Sequence, residues 1–269
     1  MKLVYNMHKE TQREGFTMEI KYEKLTLSLN DDGSYTVTAC EKDATNVVVP
    51  SEVDGIAVTE IGESAFEDCE KLVSITFNDD FELFLRGKTI KQIGAGAFSG
   101  CTSLLKIEIP CAVGIISSRT FSNCVSLTEV EYYGDDSLGY IGMDAFNNCR
   151  SLVKVPPANN IGEGAFSDCS SLVVPPIGEY IDEIGESAFA RCVSLTEIKM
   201  PSTLTLIESL AFRGCRNLKR VEFENTEGWC VDLDYGFGSE DIDVSDPEKN
   251  AVSLAGVDYD DGVRSWHVR

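Results

Sequence analysis

Between residues 61 and 218 the apolar positions return in one fixed phase: Ile, Phe five residues later, Cys eight later and Leu eleven later. The phase occurs seven times, beginning at Ile61, Ile93, Ile116, Ile141, Ile161, Ile184 and Ile207, with starts 32, 23, 25, 20, 23 and 23 residues apart. A period in the twenties with apolar residues in register is the signature of stacked supersecondary coils. One coil cannot bury its own apolar face; neighbours bury it together. The stretch IGESAFARCVSLTEIKM (184–200) shows the elements expected of each coil. Its end, Leu195-x-x-Ile198-x-Met200, alternates as a short strand with one buried face does. The middle, ESAFARC, lacks β-branched residues and predicts a helical or 3₁₀ turn. Three residues before the frame Ile stands another apolar residue (Val58, Ile90, Val113, Leu138, Ile181, Leu204), which predicts a second extended piece on the return side.

The seven Phe residues (66, 98, 121, 146, 166, 189 and 212) are expected to stack as an internal spine, each contributing about 1.5–3 kcal/mol by burial. Gly follows the frame Ile in five coils, but Ser117 and Glu208 hold that place in the others. A position requiring positive φ would rarely accept Glu, so this glycine reads as a close-packing corner.

The full frame, IGxxAFxxCxxLxxIxIP, resembles the BspA-like class of leucine-rich repeat, and IGAGAFSGCTSLLKIEIP (93–110) matches it almost letter for letter. The resemblance spans residues 47–224. It implies a right-handed leucine-rich-repeat solenoid, mainly β with short helical turns (α/β), with a parallel sheet on the concave face. It further implies a protein-binding or adhesion role, with no chemistry of its own.

The ends depart from the repeat. Residues 1–17 read as a loose polar leader without the apolar core of a secretory signal. Residues 18–60 read as a hairpin cap, turning at Asn30-Asp31-Asp32-Gly33, followed by a degenerate first coil. Residues 61–224 hold the seven repeats, and 225–269 form an acidic cap of irregular structure carrying Trp229, Phe237, Leu254 and Trp266.

Charge narrows the partner. A net charge of −22 argues against nucleic acid and anionic membranes, which need clustered Lys and Arg. No run of 18 apolar residues predicts a membrane span. Seven of the ten cysteines sit in the frame, where a buried ladder of free thiols is expected; adjacent coils also come within disulfide range. Free thiols without a signal point to a reducing interior, although the family resemblance keeps a cell-surface location open. No cofactor is expected, and no metal: no two cysteines are closer than ten residues, which excludes the pairs of a zinc site. Asp241-x-Asp243-x-x-Asp246-x-Glu248 lacks the glycine and the twelfth-position Glu of a calcium loop, and reads as a solvated acidic segment. With only His8 and His267, both near the ends, no catalytic residues are assigned and the chain is read as a non-enzyme.

The expected partner is therefore another protein, bound by a single copy of the chain acting as an adhesin or as an intracellular scaffold. The outward strand positions form two rows: Ser74, Lys106, Glu129, Lys154, Glu197 and Arg220, then Thr76, Glu108, Glu131, Lys199 and Glu222. They are either exposed cross-strand ion pairs or a charged recognition surface. Between the charged ends lie two Pro-Pro coils, 152–157 and 172–176, in which Val174 is expected to align with the buried Val155. Proline removes ladder donors, so the sheet should break here and leave an apolar dip of Val153, Pro156, Val173 and Pro175 rimmed by Lys154, Glu131, Glu197 and Lys199. The alternative site is an insertion of about nine residues after Phe77, with Phe81, Phe84 and Leu85, which either packs on the coil edge or presents a patch.

Overall fold

The computed structural model describes residues 4–9, 16–78, 85, 87–134, 137–232, 239–256 and 265–268. Each coil crosses two ladders. The first, the strand row, contains β5 (Asn46–Val49), β8 (Ser74–Phe77), β10 (Lys106–Ile109), β12 (Glu129–Tyr132), β15 (Glu197–Met200) and β17 (Arg220–Phe223). β5, β8, β10 and β12 pair in parallel in that order, as do β15 and β17. In register, Lys106 lies beside Glu129 and Glu197 beside Arg220. The buried faces are Ile75, Ile107, Val130, Ile198 and Val221, the residues three after the frame Leu.

The return ladder holds the second extended piece: β7 (Ile56–Ile61), β9 (Gln92–Ile93), β11 (Ile115–Ile116), β13 (Tyr140–Ile141), β14 (Glu183–Ile184) and β16 (Leu206–Ile207). β7 pairs in parallel with β9, β11 with β13 and β14 with β16, each at the frame Ile itself, and bridges Ile141 to Ile161 and Ile161 to Ile184 join the middle coils.

The segment between frame Ile and Cys is a run of turns and not a helix; of the helical or 3₁₀ turn expected from composition, it keeps the i→i−3 bond of the latter. In all seven coils the third and seventh residues after the Ile adopt positive φ, between 53° and 75°. Ser64 and Asp68 begin the series; Leu210 and Gly214 end it. A left-handed residue on alternate turns prevents the i→i−4 bonds of an α-helix from closing. Alternate N–H groups close i→i−3 turns within the coil, as Ser99 N does to Gly96 O at 2.9 Å, and those between them point to the next coil. Phe98 N donates to Thr120 O at 2.8 Å, and Phe121 N to Ala145 O at 2.8 Å, with the same bond on either side of each Phe. Every such donor points toward the C-terminal coil, so the column of turns is a third inter-coil ladder with a carbonyl end and an N–H end.

Inside these ladders the frame residues are closed to solvent. The seven Phe rings stack face to face, with centroids 4.9–5.4 Å apart and planes within 22°. The six frame thiols Cys101, Cys124, Cys149, Cys169, Cys192 and Cys215 each donate to the Phe carbonyl of the preceding coil at 3.0–3.1 Å. All ten cysteines are free. Burial pushes the Cys101 and Cys215 thiols up to about 12, and Cys124, Cys149 and Cys192 well above the ordinary range. At the glycine corner, a Cβ on Gly94 would stand 2.5 Å from Glu63 N, and one on Gly142 2.7 Å from Ser118 N. The glycine at these corners is there for close approach.

Both ends are closed by strands added to the return ladder, in parallel through β4 at the N-terminus and antiparallel at the C-terminus. At the N-terminus β4 (Tyr35–Cys40) pairs with β7, β3 (Leu25–Leu29) with β4, and β2 (Phe16–Tyr22) with β3. β1 (Val4–Lys9) pairs with β2, so the leader contains a strand and is not the loose segment expected. The period-two run Phe16-x-Met18-x-Ile20-x-Tyr22 supplies the strand it pairs with. A short β6 (Glu52–Val53) folds onto β7. At the C-terminus β20 (Trp266–Val268) pairs with β16 and with β18 (Trp229–Asp232), which also pairs with β19 (Ser239–Asp241). Helix α1 (Pro247–Ala255) packs on β17. The described residues of this end thus hold three strands and a helix, where irregular structure was expected. Trp229 and Trp266 bury against Phe223, at centroid distances of 4.9 and 6.2 Å.

Candidate binding surface

The outward positions of the strand row carry the candidate residues, because alternate strand residues face opposite sides. Their charges are largely satisfied among themselves. Lys106 Nζ lies 2.7 Å from Glu131 and 3.7 Å from Glu129, and Lys154 Nζ lies 3.0 Å from the other Glu129 oxygen. Glu131 also accepts from Tyr133 Oη at 3.2 Å. The Lys106 ammonium holds the Glu131 carboxyl below its usual range, and Glu131 raises Lys106 in return. Glu108 and Glu131 are directly opposed in register, a like-charge pair that Lys106 offsets.

Farther along, the pairing differs from the cross-strand alternation read in the sequence. Arg220 turns to Glu222 on its own strand at 2.5 Å, and Lys199 reaches Glu224 at 2.7 Å. Hydrogen bonding to those carboxylates raises both cations. Glu197 and Glu108 meet no cation among the described residues.

Between these two charged ends the parallel row stops. Beyond a single bridge from Glu129 to Lys154, coils four and five contribute no strand before β15. Val155 keeps the inward place three residues after Leu152. In coil five that place, three after Leu172, is taken by Pro175, which is buried. Pro175 is therefore not part of the exposed surface to which the sequence assigned it. Val174 is consequently not the counterpart of Val155: it stands in the outward row, between Lys154 and Glu197, and is 70% exposed. The frame spacing had been kept and the missing residue lies farther on. Val153 and Val173, one residue after the frame Leu, are 47% and 48% exposed and flank Val174, with Pro156 partly exposed beside them. Val174 is the surface residue that sequence reasoning missed; counting from Leu172 rather than from the Pro pair identifies it.

Of the alternative loop, Phe81 and Phe84 lie outside the described residues, and Leu85 is 68% exposed. A concavity of about 370 Å³ lies on the return ladder, lined by Tyr140, Met143, Glu163, Glu183, Glu186 and Glu208 among others, with no Lys or Arg in its wall. The sequence signal for it is Glu recurring beside the frame Ile in successive coils.

The C-terminal cap brings His267 opposite Cys230 in register, with His267 Nδ1 3.5 Å from Asp232. The Cys230 thiol is fully buried and donates to the His267 backbone carbonyl at 3.2 Å, so thiol and ring do not form a nucleophile–base pair. In the acidic segment Asp246 caps α1, accepting from Glu248 N and Lys249 N at 3.1 and 3.2 Å, and Asp243 accepts from Ser245 N at 2.9 Å. Two of the four carboxylates in question thus serve the backbone. No helix among the described residues is long and apolar enough to cross a membrane.

Among solved structures the chain is similar to a leucine-rich repeat protein of T. pallidum, with 30% identity over 74% of this chain and 89% of that one, and a TM-score of 0.62. A leucine-rich repeat protein from Eubacterium ventriosum shares the fold at 21% identity, covering 82% of this chain and 54% of the other, with a TM-score of 0.58. No curated protein matches the chain. The model of the BspA type leucine-rich repeat region matches in six copies over residues 33–152, 81–172 and 153–228. With the frame, the stacked coils and that match in agreement, the chain belongs to the BspA-type leucine-rich repeat family.

Proposed function

We propose that this chain is a non-enzymatic protein-binding module of the adhesion or scaffold type, a right-handed solenoid with the strand row on its concave side. The observation that carries this reading is the break in the row. Exposed Val153, Val173 and Val174 lie where the sheet is interrupted, between flanks whose cations Lys154 and Lys199 are already paired. An apolar centre with a polar rim is the anatomy of a protein interface. Lys154, Glu131, Glu197 and Lys199 supply the rim, and Lys106, Glu108, Glu129 and Arg220 continue it along the row.

The test begins with a photo-crosslinking residue at Val174 to identify what docks there, followed by affinity measurements on that protein. Val174→Asp, Lys154→Ala and Lys199→Ala are expected to weaken binding at least several-fold while the thermal midpoint stays nearly unchanged. Intact affinity in all three, with binding abolished by Phe84→Ser, would move the site to the inserted loop. Catalytic turnover by the purified chain would overturn the non-enzymatic reading.

A further inference from the structure

The residue before each frame Ile faces outward from the return ladder, and none is buried. It is polar in four coils (Glu60, Gln92, Asn160 and Glu183) and apolar in three. Leu206 is partly buried beside β20 at the end of the ladder. Ile115 and Tyr140 stand side by side in register, 54% and 37% exposed. Met143, two residues after its frame Ile, adds a third exposed apolar side chain.

From Tyr140 the cleft opens toward the C-terminal coils. Its floor is the glycine corner, where no side chain rises. A Cβ on Gly162 would stand 2.8 Å from Tyr140 Oη, so the phenol lies over that floor, and one on Gly185 would stand 2.7 Å from Glu163 N. Glu163 and Glu186 wall one side and Glu183 the other. Glu208, in the glycine's place, closes the end, and its Oε2 accepts from Ser265 Oγ at 3.1 Å. Glu163, Glu183 and Glu186 pair with no cation among the described residues. On a chain of net charge −22 carboxylates alone single out no place. These share a shaped cleft with an aromatic ring and continue into an exposed apolar pair. The volume of about 370 Å³ lies within the range of ligand clefts, about 300–1,000 Å³. Among the described residues no three carboxylates converge as metal ligands do, so the cleft does not suit a compact ion. It suits an extended cation that can lie against a ring and reach separated carboxylates. A guanidinium does both: it is planar, stacks on aromatic faces and carries five donors, whereas an ammonium is a point charge.

We propose that this cleft takes an arginine side chain of a partner protein, its guanidinium between Tyr140 and the carboxylates of Glu163 and Glu183, with an apolar residue of the same segment on Ile115. The apolar pair is what assigns the arginine to a protein, since a free amine would leave Ile115 uncovered. This surface lies on the return ladder and is separate from the valines of the strand row.

The probe is a capped peptide, Gly-Leu-Ser-Arg-Gly, titrated into the full chain and followed by NMR. Its Leu and Arg are two residues apart, on one face when the segment is extended. The peptide is expected to bind, to lose about tenfold in affinity when uncharged citrulline replaces the arginine, and to lose several-fold with lysine. Glu163→Gln with Glu183→Gln, Tyr140→Leu, and Ile115→Ser should each weaken binding several-fold. Glu108→Gln with Glu197→Gln removes the same charge from the strand row and should have little effect, as should Val174→Asp. Agmatine, which carries the guanidinium without a peptide, should bind more weakly than the peptide. Absence of binding, equal affinity for the citrulline or lysine peptide, equal losses in the two double variants, or a loss in Val174→Asp would each overturn the proposal. Agmatine binding as tightly as the peptide would give the cleft to a free amine and overturn the protein partner.

Discussion

Phe146 lies between the rings of Phe121 and Phe166, 5.2 Å from each, and has no solvent exposure. Its truncation to Ala leaves a void between two coils that are also pinned by backbone bonds, so the gap cannot readily collapse. Phe146→Ala is expected to cost roughly 3–5 kcal/mol in urea unfolding. Glu129→Lys removes exposed ion pairs only and should cost less than about 1 kcal/mol. Equal costs for the two would mean that the Phe column is not the core. This column was readable in the sequence because Phe recurs five residues after every frame Ile. The left-handed positions were not read, though a signal exists: Asp68, Gly100, Asn123, Asn148, Asp168 and Gly214 recur seven residues after the Ile. Asp, Asn and Gly are the residues that visit this conformation most easily. Ala and Phe in the same stretch carry helix propensity, and the inter-coil bonds override it.

Each capping element closes a ladder that would otherwise end in open backbone groups. α1 does this at the far end of the strand row. Its buried Asn250 donates through Nδ2 to Val221 O on β17 at 3.0 Å and to Val244 O at 2.8 Å, and Gly214 N, the last donor of the turn column, reaches Ala255 O at 2.8 Å. The period disappears after residue 224, so the repeat itself did not announce a helix filling the place of an eighth coil. The Asp246-Pro247 start was legible as a cap and first helical residue, but it stood in a segment judged by its charge. Asn250→Ala leaves two buried carbonyls without a donor and is expected to destabilise the chain by about 1–3 kcal/mol. The loss should appear in hydrogen exchange as faster exchange of β17 while β10 and β12 keep their protection. Uniform loosening of all coils would show that α1 is not a local cap. The break in the strand row was legible from its prolines, but its exposed residue was not. Two prolines in each coil invited alignment on proline, whereas packing aligns the coils on the frame Leu.

Over the whole molecule the excess of carboxylates sets how stability responds to pH and salt. The net charge is −22 at pH 7 and the isoelectric point about 4.4. At neutral pH the carboxylates repel along the full length of the stack. Local pairing acts in the other direction. The Arg191 guanidinium lowers Asp168, Lys106 lowers Glu131 and Lys199 lowers Glu224, each below the ordinary range of its carboxyl. A carboxyl depressed in the folded state contributes stability above its unfolded pKa and loses it as pH falls through the folded value. These pairs are therefore intact down to about pH 4 and fail below it, whereas general repulsion already eases as pH falls from neutrality toward 4.4. The thermal midpoint is expected to rise on going from pH 8 to pH 5, and to drop below pH 4. At pH 7, raising NaCl from 0.05 to about 0.5 M, which shortens the screening length to about 4 Å, should raise it as well. Exposed pairs lose strength in salt, so the sign of that shift separates the two contributions. A midpoint that falls with salt at pH 7, and falls steadily from pH 8 downward, would mean that the ion pairs of the strand row outweigh the repulsion of the remaining carboxylates.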